Sequence, residues 1–309
     1  MGITVLSLCD GMSCGHIALK ELGITVDSYY ASEIDKNSIK VTQDNFPDTK
    51  QLGDVTKLNP EDLAKSLPKI DLVMFGSPCR SLSKATAGRE QYNNGLKGIS
   101  GIFYDCNEIL KAIKTYNNPD VKFLVENVDS SKKDDLNAIS TELGVQPVLI
   151  NSQNFSAQDR KRLYWTNIPV DLSKLPSSSA VLGDVLEARV NEKYFFKEDY
   201  ELHGDDKRVM ATLHINGHDI LKRVYNRAFK APTLTSCRGG NRQVKVMDGG
   251  RVRRLTPLEY RRLQTIPDWV KMDVANSHIY NMLGDGWTVE VIKHFFSFLP
   301  KKFFNYKEK

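Results

Sequence analysis

Apolar positions follow two different rhythms along the chain, and the change of rhythm divides it. In the first half, short unbroken apolar runs alternate with helical periodicity. Residues 3–8 (ITVLSL) read as a buried parallel strand, followed by the turn CDGMSCG and a helical pattern in HIALKELG closed by Gly23. A second strand near 28–32 ends at Glu33, and KNSIKVTQDNF continues as a helix. Asp54 follows another short segment, and IDLVMFG (70–76) and VKFLVENV (121–128) read as further strands. Strands alternating with helices predict an α/β fold, a doubly wound sheet with helices on both faces. Such sheets bind ligands beyond the carboxyl ends of their strands.

From about 168 to 250 the alternation stops. PSSSA, scattered glycines and charged residues predict a smaller, less regular domain there. Near 254 a helical pattern returns in LTPLEYRRLQ, and TVEVIKHFFSFL reads as an amphipathic or buried helix. The expected division is a large domain from 1–168 and 254–309, and a small one from 169–253.

Composition narrows the class without choosing a function. The 309 residues are 40% hydrophobic and 26% charged, enough to bury a full-sized core. No apolar run has the length to span a bilayer, and MGITVLSLCD lacks the basic flank of a signal peptide, which predicts an intracellular protein. Five cysteines, Cys9, Cys14, Cys79, Cys106 and Cys237, form no C-x-x-C pair, so reduced thiols are expected rather than a disulfide framework or a zinc cage. His214 and His218 have a helical spacing but no second ligand pair, and read as solvated loop residues; no metal is expected.

Net charge becomes informative once it is located. Residues 222–262 carry twelve Lys and Arg against Asp248 and Glu259, a local charge of +10, while the whole chain is +5. The rest therefore sums to −5, and a basic block on a mildly acidic protein is the electrostatic footprint of a polyanion partner. A solvated basic face is the plain alternative. Residue types favour the partner: arginines cluster at Arg251, Arg253, Arg254 and at Arg261, Arg262, with Arg242 nearby. Gly239 and Gly240 sit where backbone could approach phosphates closely.

Candidate chemistry falls at predicted strand ends. The turn after the first strand suits an anionic group through its N–H groups and the following helix dipole. Glu33 stands where an acidic residue can bind ribose hydroxyls, and with Asp54 it suggests an adenosine pocket, although either carboxylate alone would read as an exposed strand end. In FGSPCRSLS (75–83), Pro78 fixes the backbone before Cys79, whose thiol could be a nucleophile if nearby cations or a helix N-terminus lower its pKa. A buried, inert thiol is the ordinary reading of such a cysteine. The stretch SKATAGREQYNNGLKGISG after it lacks hydrophobic periodicity and has the length of a functional lid or a disordered loop. FLVENVDS (123–130) places Glu126 and Asn127 at a strand's end, where a half-dry carboxyl would have a raised pKa. QDRKR (158–162) adds Arg160 and Arg162, which on a strand would share a face.

Taken together these segments resemble the cytosine-5 DNA methyltransferases, both the bacterial and phage enzymes and the catalytic domain of the animal de novo enzymes. LSLCDGMSCGHIALKELG resembles the family's first motif, GSPCRSLS its Pro-Cys motif, ENV its Glu-Asn-Val motif and QDRKR its Gln-x-Arg-x-Arg motif. RRLTPLEYRRLQTIPD (253–268) and LGDGWTVEVI (283–292) resemble its last two, in the family's order across nearly the whole chain. The resemblance implies a Rossmann-like methyltransferase sheet and transfer of a methyl group from S-adenosylmethionine to C5 of a cytosine flipped out of duplex DNA. By the same resemblance Cys79 attacks C6, Glu126 holds the base edge, Arg162 meets O2, and Arg160 supports the site. The donor falls to Asp10, Gly11, Met12, Glu33, Asp54, Val55 and Trp287, and DNA to Ser81, Lys84, Arg89, Arg238, Gly239, Gly240 and Arg242. The 81–101 stretch becomes the lid and the small domain the target-recognition domain. A monomer in the cytoplasm, on the nucleoid, with a restriction endonuclease as companion, completes the expectation.

The chain departs from the family pattern at three points. Cys9 replaces the aromatic residue of the first motif, Ser13 and Cys14 replace two glycines common in bacterial members, and Arg80 stands where those carry Gln. Three alternatives stay open. A tRNA cytosine-5 methyltransferase is one, for which LTSCRGG is the nearest match to the Cys-Phe-Thr element. A non-catalytic DNA-binding paralogue would be signalled by loss of the Cys or Glu, yet Cys79 and Glu126 are present. A nicotinamide-dependent oxidoreductase needs G-x-G-x-x-G, and DGMSCG has the wrong spacing.

Overall fold

A computed structural model describes residues 2–79, 82, 95–129 and 133–304. The chain forms two compact units, the first from residues 1–150, 161–172 and 292–309, the second from 151–160 and 173–291. In chain order the elements of the first half are β1 (Ile3–Leu8), α1 (Cys14–Glu21), β2 (Val26–Ser32), α2 (Lys36–Asn45), β3 (Lys50–Gln51), α3 (Pro60–Ser66) and β4 (Leu72–Phe75). Then come α4 (Ile102–Tyr116), β5 (Lys122–Val128), α5 (Lys133–Leu143), β6 (Val148–Asn151) and β7 (Lys161–Thr166). After these follow β8 (Tyr200–Leu202), β9 (Val209–Leu213), α6 (Asp219–Lys222), β10 (Arg223–Tyr225), β11 (Lys245–Asp248), β12 (Arg251–Arg254), α7 (Pro257–Leu263), α8 (Asn276–Asp285) and α9 (Val289–Phe296).

The first unit is built on a sheet of order β3-β2-β1-β4-β5-β7-β6, in which β3, β2, β1, β4 and β5 run parallel and β7 pairs antiparallel with β5. The chain moves outward from β1 to β3 and then crosses back to β4 on the other side of β1. That reversal makes the space beyond β1 and β4 the switch point where such sheets hold ligands. Both faces are covered, as expected of buried parallel strands. Leu6, Leu8, Val73, Phe75, Phe123 and Val125 share one apolar core with residues of α3, α4 and α5. On the other face α1 packs so tightly that a Cβ at Gly15 would overlap the Met74 sulfur. Phe295 of α9 packs tilted against Tyr164, ring centres 4.8 Å apart.

Local signals explain the boundaries. Gly23, with φ of +68°, ends α1, and the Ile24 N–H returns to the Leu19 carbonyl at 3.0 Å. Asp35 caps α2 by accepting from the Asn37 and Ser38 amides, and Asn59 with Pro60 starts α3 in the same way.

The second unit carries the sheet β12-β11-β10-β9-β8, antiparallel except between β10 and β11, over a small core of Met210, Ala211, Leu213, Val224 and Val252. The expected boundary at 254 falls inside this unit. The reason is polar: fully buried Arg253 makes a two-pronged bond to fully buried Glu259 of α7, at 2.8 and 2.7 Å, and a third bond to Asp248 at 2.6 Å. A charge pair at that depth holds only when both partners stay together, so α7 goes with the sheet. Gln158 ties the 151–160 segment in as well, donating to the Leu263 carbonyl and to Gln264 Oε1.

Candidate active site

Register places the chemistry of the first unit. Leu8, Ser32, Phe75 and Val125 form one row across β1, β2, β4 and β5, each strand aligned with its neighbour. Because these strands are parallel, the next residue of each emerges at one edge: Cys9, Glu33, Gly76 and Glu126. Cys79, Asp10 and Gly11 follow within three residues, and Asp54 lies three beyond the end of β3.

The Pro-Cys turn is fastened from β5. Asn127, 2% exposed, donates its amide to the Ser77 hydroxyl at 3.2 Å and to the Ser77 carbonyl at 3.4 Å. The Cys79 carbonyl accepts from the Leu82 amide at 2.9 Å. Cys79 is half-buried and packs against the core of the first unit. Glu126 meets Arg162 of β7, Oε1 to Nε 3.0 Å, with side-chain exposures of only 10% and 14%. In the antiparallel register Glu126 lies opposite Tyr164 and Arg162 opposite Val128, so the pair is the diagonal one that long side chains can bridge.

Arg160 does not share that strand face. It precedes β7, is 2% exposed, and donates to the carbonyls of Leu234, Gly284 and Gly286 within the second unit. Its guanidinium donates to three backbone carbonyls and holds those segments of the second unit together. Around it Gln264 donates to the Leu283 and Gly286 carbonyls, and Thr288 donates to Gln264. The amide hub of Gln158 and Gln264 was not anticipated from sequence; a glutamine repeated in two arginine-rich segments was the available signal.

The turn after β1 uses left-handed backbone at Cys9, Gly11 and Ser13. Glu33 organises it, accepting from the Gly11 amide at 2.7 Å with one oxygen and from Ile34 and Asp35 with the other. Met12 and Val55 are buried beside these carboxylates in sequence. Asp54 caps the turn at Val55, and the Thr56 hydroxyl and amide hold its carboxyl below the usual range. Cys9 sets its sulfur 4.0 Å from that of Cys106 in α4. Trp287 is half-buried in the second unit, between α8 and α9.

Asp10 is the buried carboxyl of this turn. Its carboxyl accepts from the Tyr29 hydroxyl at 2.7 Å and from Ser13. Burial pushes it up to about 6, against the pull of Ser13, Ser7 and Tyr29, and the Glu33 carboxylate adds to the rise. Between the ordinary value of 3.8 and about 6, the folded chain keeps a proton that the unfolded chain has lost. Stability attributable to Asp10 therefore falls as pH rises through that window. We expect the melting temperature of wild type minus that of Asp10→Asn to decline from roughly pH 4 to 6 and then level off. A difference independent of pH would show the carboxyl to be ordinary.

Arg238, Arg242 and Gly240 are exposed in the second unit and Gly239 is half-buried beside them; Gly239 and Gly240 have φ of +104° and +73°. Ser81, Lys84 and Arg89 lie outside the described residues, as does most of the expected lid.

Fold and edge chemistry together define a class, the doubly wound methyltransferases, with a thiol and a carboxylate at the switch-point edge. The family profile described as C-5 cytosine-specific DNA methylase matches residues 3–301, and the chain belongs to that family. It is a DNA cytosine-5 methyltransferase, and its family uses S-adenosylmethionine. The type II methyltransferase M.NlaX of Neisseria lactamica is 26% identical over 308 residues, covering 94% of this chain and 93% of that one. M1.ScrFI of Lactococcus lactis is 26% identical over 86% of this chain and 70% of its own. Among solved structures, the Entamoeba histolytica methyltransferase EhMeth superposes with a TM-score of 0.69 at 12% identity, covering 97% of this chain and all of that one. The Schizosaccharomyces relative (S. pombe Dnmt2) gives 0.66 at 16%, covering 96% and 97%. These likenesses bear out the α/β methyltransferase fold. Among the described residues no helix is long and apolar enough to cross a membrane.

Proposed function

We propose that the chain methylates cytosine in duplex DNA through a covalent adduct on Cys79, with Glu126 as the polar partner of the extruded base and Arg162 holding that carboxylate. The observation that carries this reading is the edge itself. Asn127 holds the turn bearing Cys79, and its neighbour Glu126 is held by Arg162.

Cys79 adds to C6 of the cytosine, forming a C–S bond and enriching C5 with electrons. Glu126, at N3 and the exocyclic amine, steadies the charge that develops, and Arg162 orients that carboxylate toward the ring. When bound, S-adenosylmethionine would supply the electrophilic methyl group that C5 takes, the S–CH3 bond breaking to leave S-adenosylhomocysteine. A base at the site then removes the C5 proton, the C6–S bond breaks, and Cys79 departs as thiolate. None of this is reachable inside a duplex, so the cytosine flips out, and protein contacts offset unstacking of a few kcal/mol.

The residues present fit the donor. The N-terminus of α1 carries no side-chain cap, and its helix dipole suits a carboxylate. Glu33 and Asp54 offer the acceptors that ribose hydroxyls and an amine require, and Asp10, Gly11, Met12 and Val55 line the same stretch of edge. We assign the sheet of the second unit, with Arg238, Gly239, Gly240 and Arg242, to target recognition. Arg160 steadies the second unit through the carbonyls it clamps.

A covalent trap tests the reading. Duplex DNA carrying 5-fluorocytosine at the target, with S-adenosylmethionine present, is expected to give an adduct stable to denaturing gel electrophoresis, because fluorine at C5 cannot leave as a cation. Adduct on tRNA but not on DNA would move the substrate to RNA. No adduct on either, with DNA affinity intact, would leave a binding protein.

A further inference from the structure

Every large cation that is buried needs a reason, because an ammonium moved from water into a protein interior carries a desolvation penalty of several kcal/mol. Lys245, at the start of β11, is 1% exposed. Its Nζ donates to the carbonyl of Asn241 at 2.7 Å and to that of Gln243 at 3.2 Å. It also sits 5.6 Å from the centre of the Phe196 ring, which carries Arg254 at 4.8 Å. The charged or titratable groups that face it are Arg254 and Cys237; burial, then Arg254, pushes its pKa down to about 8, and Cys237 acts the other way. A methionine would fill such a position without the desolvation penalty. What a methionine cannot do is hold two carbonyls of one loop.

That loop runs through residues 238–243. Its backbone is left-handed at Gly239 and Gly240, and its turn closes on a long Gln243 N–H to Gly240 carbonyl bond of 3.3 Å. Arg238, Asn241 and Arg242 project from it, exposed. The loop forms one wall of a cleft of about 270 Å³ that Lys193, Tyr194 and Arg254 also line. The ammonium therefore holds, from inside, two carbonyls of the loop that carries Arg238 and Arg242.

We propose that Lys245 is a positioning residue for DNA recognition: its buried ammonium fastens the 238–243 loop so that Arg238 and Arg242 meet the DNA in one register. The proposal rests on the reading above that this loop contacts DNA. It acts before chemistry, on the encounter with the target, and leaves donor binding alone.

Full-length Lys245→Met, Lys245→Arg and the Arg238→Ala/Arg242→Ala double variant decide it, each assayed for methylation, donor affinity and amide hydrogen exchange. For Lys245→Met we expect KM for duplex DNA to rise roughly tenfold, the scale of one misplaced contact. The rate at saturating DNA and the donor Kd should change less than about twofold, and amides 239–243 should exchange faster. Lys245→Arg, which keeps a cation and its donors, should recover much of the KM. If Lys245→Met leaves KM unchanged while the arginine double variant raises it, Lys245 has no part in recognition and the loop reading survives. If neither variant moves KM, the loop does not contact DNA and both ideas fall. Should Lys245→Met unfold at assay temperature, Lys245→Gln is judged by the same ratio of KM to rate.

Discussion

Cys79→Ser is expected to lower methylation at least about a thousandfold and to leave donor affinity within about twofold of wild type. A serine hydroxyl is nearly isosteric with the thiol, so the Asn127 to Ser77 fastening and the Leu82 amide to Cys79 carbonyl bond should survive the change. What disappears is nucleophilicity: the thiol ionises within reach of neutral pH, whereas an alcohol does not without an adjacent base. The variant should also yield no adduct with 5-fluorocytosine DNA. The measurement is single-turnover methyl transfer beside equilibrium binding of S-adenosylmethionine. Turnover within tenfold of wild type would remove Cys79 from the reaction, and loss of donor binding in parallel would mark a structural defect instead.

The parts of the fold legible in the sequence were those decided locally. Apolar runs with strand length located β1, β2, β4 and β5 to within two residues, since a parallel strand buried on both faces leaves little choice of residue. Gly23 and the helix it ends were legible for the same reason: the left-handed conformation is intrinsic to the residue. The strand-end placement of the candidate motifs was legible too, and β-sheet register brings Cys9, Glu33, Gly76 and Glu126 to one edge. Long-range polar contacts were not legible. Asn127 reaches Ser77 across 50 residues and Gln158 reaches Gln264 across 106, and no periodicity encodes such partners. Arg160 and Arg162 show the limit well. Two residues apart and identical in type, they read as a pair, yet one is spent on backbone carbonyls and the other on Glu126. Lys245 looked like one more charge in a basic block, and only burial distinguishes it from its exposed neighbours.

Glu126→Gln should slow single-turnover methylation by about a hundredfold or more, the scale of removing one preorganised charge from a transition state. Gln keeps the length of the side chain and one acceptor oxygen, so β5 and its pairing with β7 should persist. It cannot supply the negative charge that answers a cytosine ring protonated or hydrogen-bonded at N3, and it leaves Arg162 facing a neutral group. Arg162→Ala acts on the same contact from the other side. It should slow the chemical step by roughly tenfold or more, while duplex affinity falls less. The two effects should not multiply, because Arg162 works largely by orienting Glu126. The Glu126→Gln/Arg162→Ala double variant is expected to resemble Glu126→Gln alone. Rates measured with donor and DNA both saturating distinguish the cases. Fully multiplicative losses would mean that the two side chains contact the base independently, and an unchanged rate with weaker DNA binding in Arg162→Ala would turn that arginine into a simple DNA contact.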